Sequence, residues 1–204
     1  TSSRVSDAFN AADQVEFTGG KKNTIDFEFV KGRLKERYFS SAPQAAVRHF
    51  EKMYQDNPSH ENKYAYAISL KSNGEISKAL QIINELLSKY PKNLILNTTK
   101  SEVYLSGDQL ALAQSNIQEV LKVSPGNYPA SLVKAKILSA KKEVIKAEEV
   151  VRDLLIKRNR NPNLWMELSE IQRVGKNIVG YHLSRGEYYV LLGDYENALN
   201  QFRF

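Results

Sequence analysis

The sequence predicts an all-α fold, a right-handed α-solenoid of antiparallel helix pairs, on three observations. Ala79, Ile83 and Pro91 recur as Ala113, Ile117 and Pro125, each 34 residues further on. Self-similarity at that period marks a helix–turn–helix unit stacked on copies of itself. Gly74 and Gly107 interrupt the apolar periodicity between the two helices expected in successive units. With 42% hydrophobic and 25% charged residues, the chain can bury a core and is not disordered. Its 204 residues accommodate about five to six units.

Taken in order, residues 1–15 carry Val5, Ala8, Phe9 and Ala12 at helical spacing, and residues 17–23, with Gly19 and Gly20, read as a linker. Residues 24–204 follow the tetratricopeptide (TPR) pattern of paired helices. In the first unit one helix carries Phe27, Val30, Leu34 and Tyr38; Pro43 opens its partner, through Ala46, Phe50 and Met53, and Pro58 closes it. The second unit has Tyr66-Ala67-x-x-Leu70, a turn at Gly74, then Ala79, Ile83, Leu86 and Pro91. The third has Ser101-x-x-Tyr104, Gly107, Ala113, Ile117, Val120 and Pro125. The fourth has Ala135-x-x-Leu138, Ala147, Val151 and Leu154. Its closing proline, Pro162, falls three residues late, which reads as a small loop insertion. Trp165 and Leu168 open the fifth. Residues 179–192 read as one helix shared with a sixth unit, which runs on through Gly193, Ala198 and Phe202. The chain begins without methionine and stops inside that last helix, so both ends read as boundaries of a longer protein.

The alanines are expected where two helices cross too closely for more than a methyl group. Gly74 and Gly107 are expected to end first helices in the left-handed conformation, and the prolines to stop the preceding helix. All these motif residues therefore read as structural.

Composition excludes several chemistries. There is no cysteine, hence no disulfide, thiolate zinc site or cysteine nucleophile. No apolar run reaches the roughly 18–20 residues of a membrane span. His49, His60 and His182 show no His-Glu-x-x-His spacing, and Gly19-Gly20-Lys21-Lys22 lacks the pattern of a phosphate loop. Net charge is +6, and residues 134–160 hold nine bases against four acids. These bases are interleaved with acids and nearly free of aromatics, so they read as a solvated surface and not as a nucleic-acid interface.

The order of segments, over nearly all 204 residues, resembles that of a known family. The opening Thr1-Ser2-Ser3-Arg4-Val5-Ser6-Asp7-Ala8 stands before the repeats. Near the end come His182-x-x-Ser184-Arg185-Gly186-Glu187-Tyr188-Tyr189-x-Leu191-x-Gly193-Asp194 and Ala198-Leu199-x-Gln201-Phe202. Together they resemble the C-terminal region of M48-type zinc metalloproteases of Gram-negative periplasms, the BepA-like group with TPR repeats. The resemblance implies that residues 1–16 are the tail helix of a preceding protease domain. It also implies a periplasmic parent that binds zinc only in that domain, and partners among the outer-membrane assembly machinery and the parent's own protease domain. This chain would then carry no catalytic residue and no cofactor. Two other readings stay open: a free-standing TPR adaptor or assembly factor and, with less in its favour, a helical-repeat nucleic-acid binder using the basic fourth unit.

The functional surface expected of such a solenoid is the concave face of first helices. In the alanine register its inward positions are Lys31, Lys35 and Tyr38, then Tyr64, Ile68 and Lys71. The later units add Thr98, Glu102 and Leu105, then Leu132 and Lys136, then Met166, Glu170 and Arg173. Apolar and charged groups mixed in this way suit a protein partner or an extended peptide.

Overall fold

A computed structural model describes residues 24–39 and 41–204. Among them are eleven helices and no strand: α1 (Ile25–Arg37), α2 (Pro43–Asp56), α3 (His60–Ser72), α4 (Ile76–Lys89), α5 (Leu94–Ser106), α6 (Leu110–Val123), α7 (Tyr128–Ala140), α8 (Val144–Lys157), α9 (Pro162–Val174), α10 (Ile178–Leu192) and α11 (Tyr195–Phe202). The tail helix and linker expected over 1–16 and 17–23 lie outside the described residues.

First helices begin at 60, 94, 128 and 162, and second helices at 76, 110, 144 and 178, so both keep the 34-residue period. Pro162 is therefore not late. It is the first residue of α9, in the place of Leu94 and Tyr128, and the loop before it has the same four residues as those before α5 and α7. The ladder starts on repeated caps: Ser59, Asn93, Asn127 and Asn161 accept from the backbone N–H of Asn62, Leu96, Ala130 and Asn163 at 3.1, 3.0, 3.0 and 3.0 Å. Each such cap is worth about 1 kcal/mol.

First helices also end alike. The N–H of Glu75, Gln109, Glu143 and Asn177 reaches back to the carbonyl of Leu70, Tyr104, Leu138 and Gln172, each at 2.9 Å. That bond closes around one left-handed residue. Gly74 is one (φ 82°), but the others are Asp108 (56°), Lys142 (64°) and Lys176 (58°), at successive intervals of 34. Gly107 is not left-handed; its φ is −91°. Its smallness serves packing instead, since a Cβ there would lie 2.8 Å from Ile76 Cγ2 on α4.

Second helices bury one stripe: Ala79, Ile83 and Leu86 in α4, Ala113, Ile117 and Val120 in α6, Ala147, Val151 and Leu155 in α8. This is the one-sided pattern of a helix with solvent behind it. Ala46 in α2 and Ala198 in α11 are buried as well. First helices are covered on more sides; Tyr64, Ala65, Ala67, Ile68 and Leu70 of α3 are all buried. Trp165 is half-buried and donates its ring N–H to the Asn159 carbonyl at 2.7 Å. Pro58, Pro91 and Pro125 sit in the loops between pairs. The helix expected over 179–192 packs against both α9 and α11, and starts where a second helix is due. Gly193 (φ 75°) ends it, and Gly186 lets α11 approach, because a Cβ there would collide with the Phe202 ring.

Candidate functional site

The departure from regular stacking is α1. It lays its packed face on α3, far more closely than α5 meets α7, and runs parallel to it, with Glu28 beside His60 at one end and Glu36 bonded by Ser72 at the other. Gly32 makes this possible: a Cβ would stand 2.7 Å from the Glu61 carbonyl oxygen of α3. Beside it Phe29 is fully buried, its ring 5.1 Å from that of Tyr64 and 6.1 Å from that of Tyr90. The buried face is thus Phe29, Gly32 and Glu36. The apolar stripe that marks this helix in the sequence, Phe27, Val30, Leu34 and Tyr38, is the opposite face and stands 45–59% exposed.

Polar groups decide that orientation. Arg33 meets Glu102 of α5 in a fork, Nη1 to Oε1 at 3.0 Å and Nη2 to Oε2 at 2.9 Å, and Nη2 also lies 2.8 Å from Thr99 Oγ1 and 2.9 Å from Tyr64 Oη. Tyr64 Oη and Thr99 Oγ1 are 2.6 Å apart, and Lys71 Nζ lies 3.6 Å from Glu102. Burial alone would raise the Glu102 carboxyl, but Arg33 and Lys71 outweigh it and hold the group below the usual carboxylate range. Burial pushes the Tyr64 phenol up, against the pull of Arg33. Further along, Lys35 and Lys31 reach Glu61 at 2.6 and 3.5 Å, Ser72 donates to Glu36 at 2.8 Å, and Asn93 donates to Asp26 at 2.5 Å.

Arg33→Ala is expected to cost about 1–3 kcal/mol through the groups left unpaired. Arg33 keeps 39% of its side-chain surface, so solvent screening favours the lower half of that span. Arg33→Lys should recover only part, because an ammonium lacks the planar fork. Glu102 has a depressed folded pKa, so its contribution is present above the unfolded carboxylate pKa and is lost as pH falls through the folded value. Urea denaturation of the three proteins from neutral to acid pH tests this. Equal midpoints at neutral pH, or a gap that widens on acidification, would refute it.

Between α1, α5 and α7 lies a groove of about 600 Å³, a size usual for ligand clefts. Val30, Arg33 and Arg37 form one wall, while Leu94, Ile95, Thr98 and Leu105 of α5 line it opposite. Pro129, Leu132, Val133 and Lys136 come from α7. Of the positions expected to face a ligand, the groove gathers Lys71, Thr98, Glu102, Leu105, Leu132 and Lys136. It excludes the rest. Tyr64 and Ile68 are 0% and 2% exposed, closed over in the core that α1 completes. Lys31 and Lys35 are engaged with Glu61, and Tyr38 stands on the outer face of α1. Met166, Glu170 and Arg173 turn to α10 or to each other: Arg185 Nη1 lies 2.8 Å from Met166 Sδ and 3.8 Å from Glu170, and Arg173 pairs with Glu170 at 2.8 Å. Sequence reasoning missed Val30, Arg33 and Arg37, because it placed α1 as an ordinary first helix whose inward positions are Lys31, Lys35 and Tyr38.

Four of the fourth unit's nine bases are held in ion pairs. Lys136 lies 3.3 Å from Glu167, Lys141 and Lys146 each 2.8 Å from Glu143, and Arg152 3.0 Å from Glu148. Lys134, Lys157 and Arg158 line a second, smaller cleft with Asp153. The histidines have separate surroundings. His49 stacks on Phe39, where burial and then Lys35 lower its pKa. His60 lies 3.3 Å from Tyr90 Oη. His182 bonds Gln201 at 2.9 Å and stacks on Phe204. Among the described residues no three His, Asp or Glu are placed to hold a metal, and no helix is long and apolar enough to cross a membrane.

No protein-family model matches the chain, and neither does any curated protein. Solved structures do. A thermophilic TPR protein of Thermus thermophilus superposes with a TM-score of 0.67 at 21% identity, over 85% of this chain and 99% of that one. A tetratricopeptide repeat protein from Parabacteroides merdae gives 0.57 at 16% identity, over 97% of this chain and 82% of that one. The period, the repeated caps and turns, and these two likenesses agree: the fold is a TPR-type α-solenoid.

Proposed function

We propose that this chain is a protein-interaction module that seats a peptide segment of its partner in the groove between α1, α5 and α7. The observation that carries the proposal is the groove itself. Apolar side chains from three helices converge beside cationic heads, on a scaffold that Arg33, Lys71 and Glu102 hold together. A rigid cleft of that kind binds by burying a partner's apolar anchors. The test is peptide display against the purified chain and its Leu132→Arg variant. Leu132 lines the cleft and is only half-buried, so the arginine obstructs the cleft, and unchanged circular dichroism will show that the fold is kept. Selected peptides should lose more than tenfold in affinity for the variant, about 1.4 kcal/mol. Undiminished binding to Leu132→Arg would remove the groove from the mechanism.

The resemblance extends the proposal to the parent: a periplasmic M48-type metalloprotease whose zinc is held in another domain, with outer-membrane assembly partners recruited by this one. Its support is the opening Thr1 to Ala8 together with the sequence from His182 to Phe202. An upstream reading frame lacking His-Glu-x-x-His would sink this extension and leave the groove proposal standing.

A further inference from the structure

We infer that the occupant of the groove is an acidic amphipathic helix, laid beside α1 with its apolar face toward α5 and α7. This rests on the groove reading above and adds the chemistry of the partner.

Charge is the first argument. The lining carries Arg33, Arg37, Lys71 and Lys136 against a single acid, Glu102. Arg33 and Lys71 are committed to that acid. Arg37 is exposed and makes no ion pair among the described residues; Lys136, also exposed, lies 3.3 Å from Glu167 and adds its charge to the field that holds Glu102 ionised. Two cationic heads, one on each wall, therefore face whatever enters. A partner with carboxylates along its flanks satisfies both, whereas a basic segment meets repulsion from both sides.

Shape is the second. The apolar floor continues onto α1 through Val30, which belongs both to the groove and to the exposed stripe of Phe27 and Leu34. Those three residues are spaced three and four apart, so they form one ridge along a helix, roughly 10 Å long at 1.5 Å per residue. A second helix with anchors at the same spacing interdigitates with such a ridge, whereas an extended strand presents its side chains at a period of two. α1 already shows a helix bedded in parallel on this face, held by one large apolar anchor and a basic–acidic clasp.

The experiment is a display library of 16-residue peptides in which every position draws on Ala, Leu, Glu and Lys. It is selected on the parent chain and counter-screened on Leu132→Arg. The groove-dependent pool should be rich in Glu over Lys and carry Leu at intervals of three and four. Arg37→Glu combined with Lys136→Gln should weaken that pool more than tenfold and abolish the Glu preference. Lys136 is neutralised and not reversed because Glu167 lies beside it, and unchanged circular dichroism will show that the fold is intact. A groove-dependent pool that is Lys-rich, charge-neutral or alternating in its leucines would overturn the inference but not the groove. Failure to obtain any groove-dependent pool would overturn both. A 20-nucleotide single-stranded DNA that binds as tightly as the best peptide and is lost in the charge variant would assign the cations to nucleic acid instead.

Discussion

Phe29→Ala is expected to undock α1 from the stack. The ring is fully buried between Tyr64 and Tyr90, and its removal leaves a cavity where α1, α3 and the end of α4 meet. Truncating a buried phenylalanine costs about 3–5 kcal/mol. α1 has little to set against that loss. It packs mainly on α3, and its other ties are polar: the Arg33 fork, the Lys31 and Lys35 ion pairs with Glu61, and the hydrogen bonds of Glu36 with Ser72 and Asp26 with Asn93. The loss should therefore fall on α1 first, as local unfolding free energy. Hydrogen exchange provides the measurement: amides of 28–37 should lose protection while those of α6 to α9 keep theirs. Unchanged protection in α1 would mean that the Phe29 contact is not what holds it. The same variant should widen the groove, because Val30, Arg33 and Arg37 leave with α1.

Ala113→Leu is expected to cost about 1–3 kcal/mol by overpacking. Ala113 has no exposed surface and lies in a cluster with Ile117, Ala130, Val133 and Ile137, so added carbons must force α6 away from its neighbours. Each kcal/mol lowers the thermal midpoint by about 2–4 °C in a chain of this size. Leu112, one residue earlier and 51% exposed, supplies the contrast: Leu112→Ala should move the midpoint far less. Equal shifts for the two substitutions would show that the helix-crossing point is not at Ala113.

The repeated turns show how much of the ladder could be read in advance and where reading failed. The alanines at 46, 79, 113 and 147 are legible because a close crossing admits only small residues, and each lies buried. The left-handed residue after each first helix is less so. Glycine occupies it once, at 74; elsewhere Asp108, Lys142 and Lys176 accept the strain. A non-glycine residue there costs roughly 1–2 kcal/mol, which the backbone bond it closes and the packing of the pair offset. A search for glycine therefore finds Gly107 next door, whose role is to admit Ile76. The repeated N-caps at 59, 93, 127 and 161 were a better marker of helix starts than the prolines, and would have placed Pro162 correctly.

By itself the sequence determined the stack: all-helical pairs at a 34-residue period, the crossing alanines, and part of the groove through Lys71, Thr98, Glu102, Leu105, Leu132 and Lys136. It could do so because each unit repeats the same local contacts with the next, so one interface is written several times over. Only the tertiary structure decided which face of α1 is buried. On sequence the Phe27-Val30-Leu34-Tyr38 stripe is the more apolar and so the better candidate for the core. The opposite face wins because Gly32 permits contact with the α3 backbone, and because Arg33 finds Glu102 and Thr99, 69 and 66 residues away. Those partners belong to a different repeat, beyond the reach of any helical periodicity. That choice closes Tyr64 and Ile68 into the core, and sets Val30 and Arg37 as the wall of the groove.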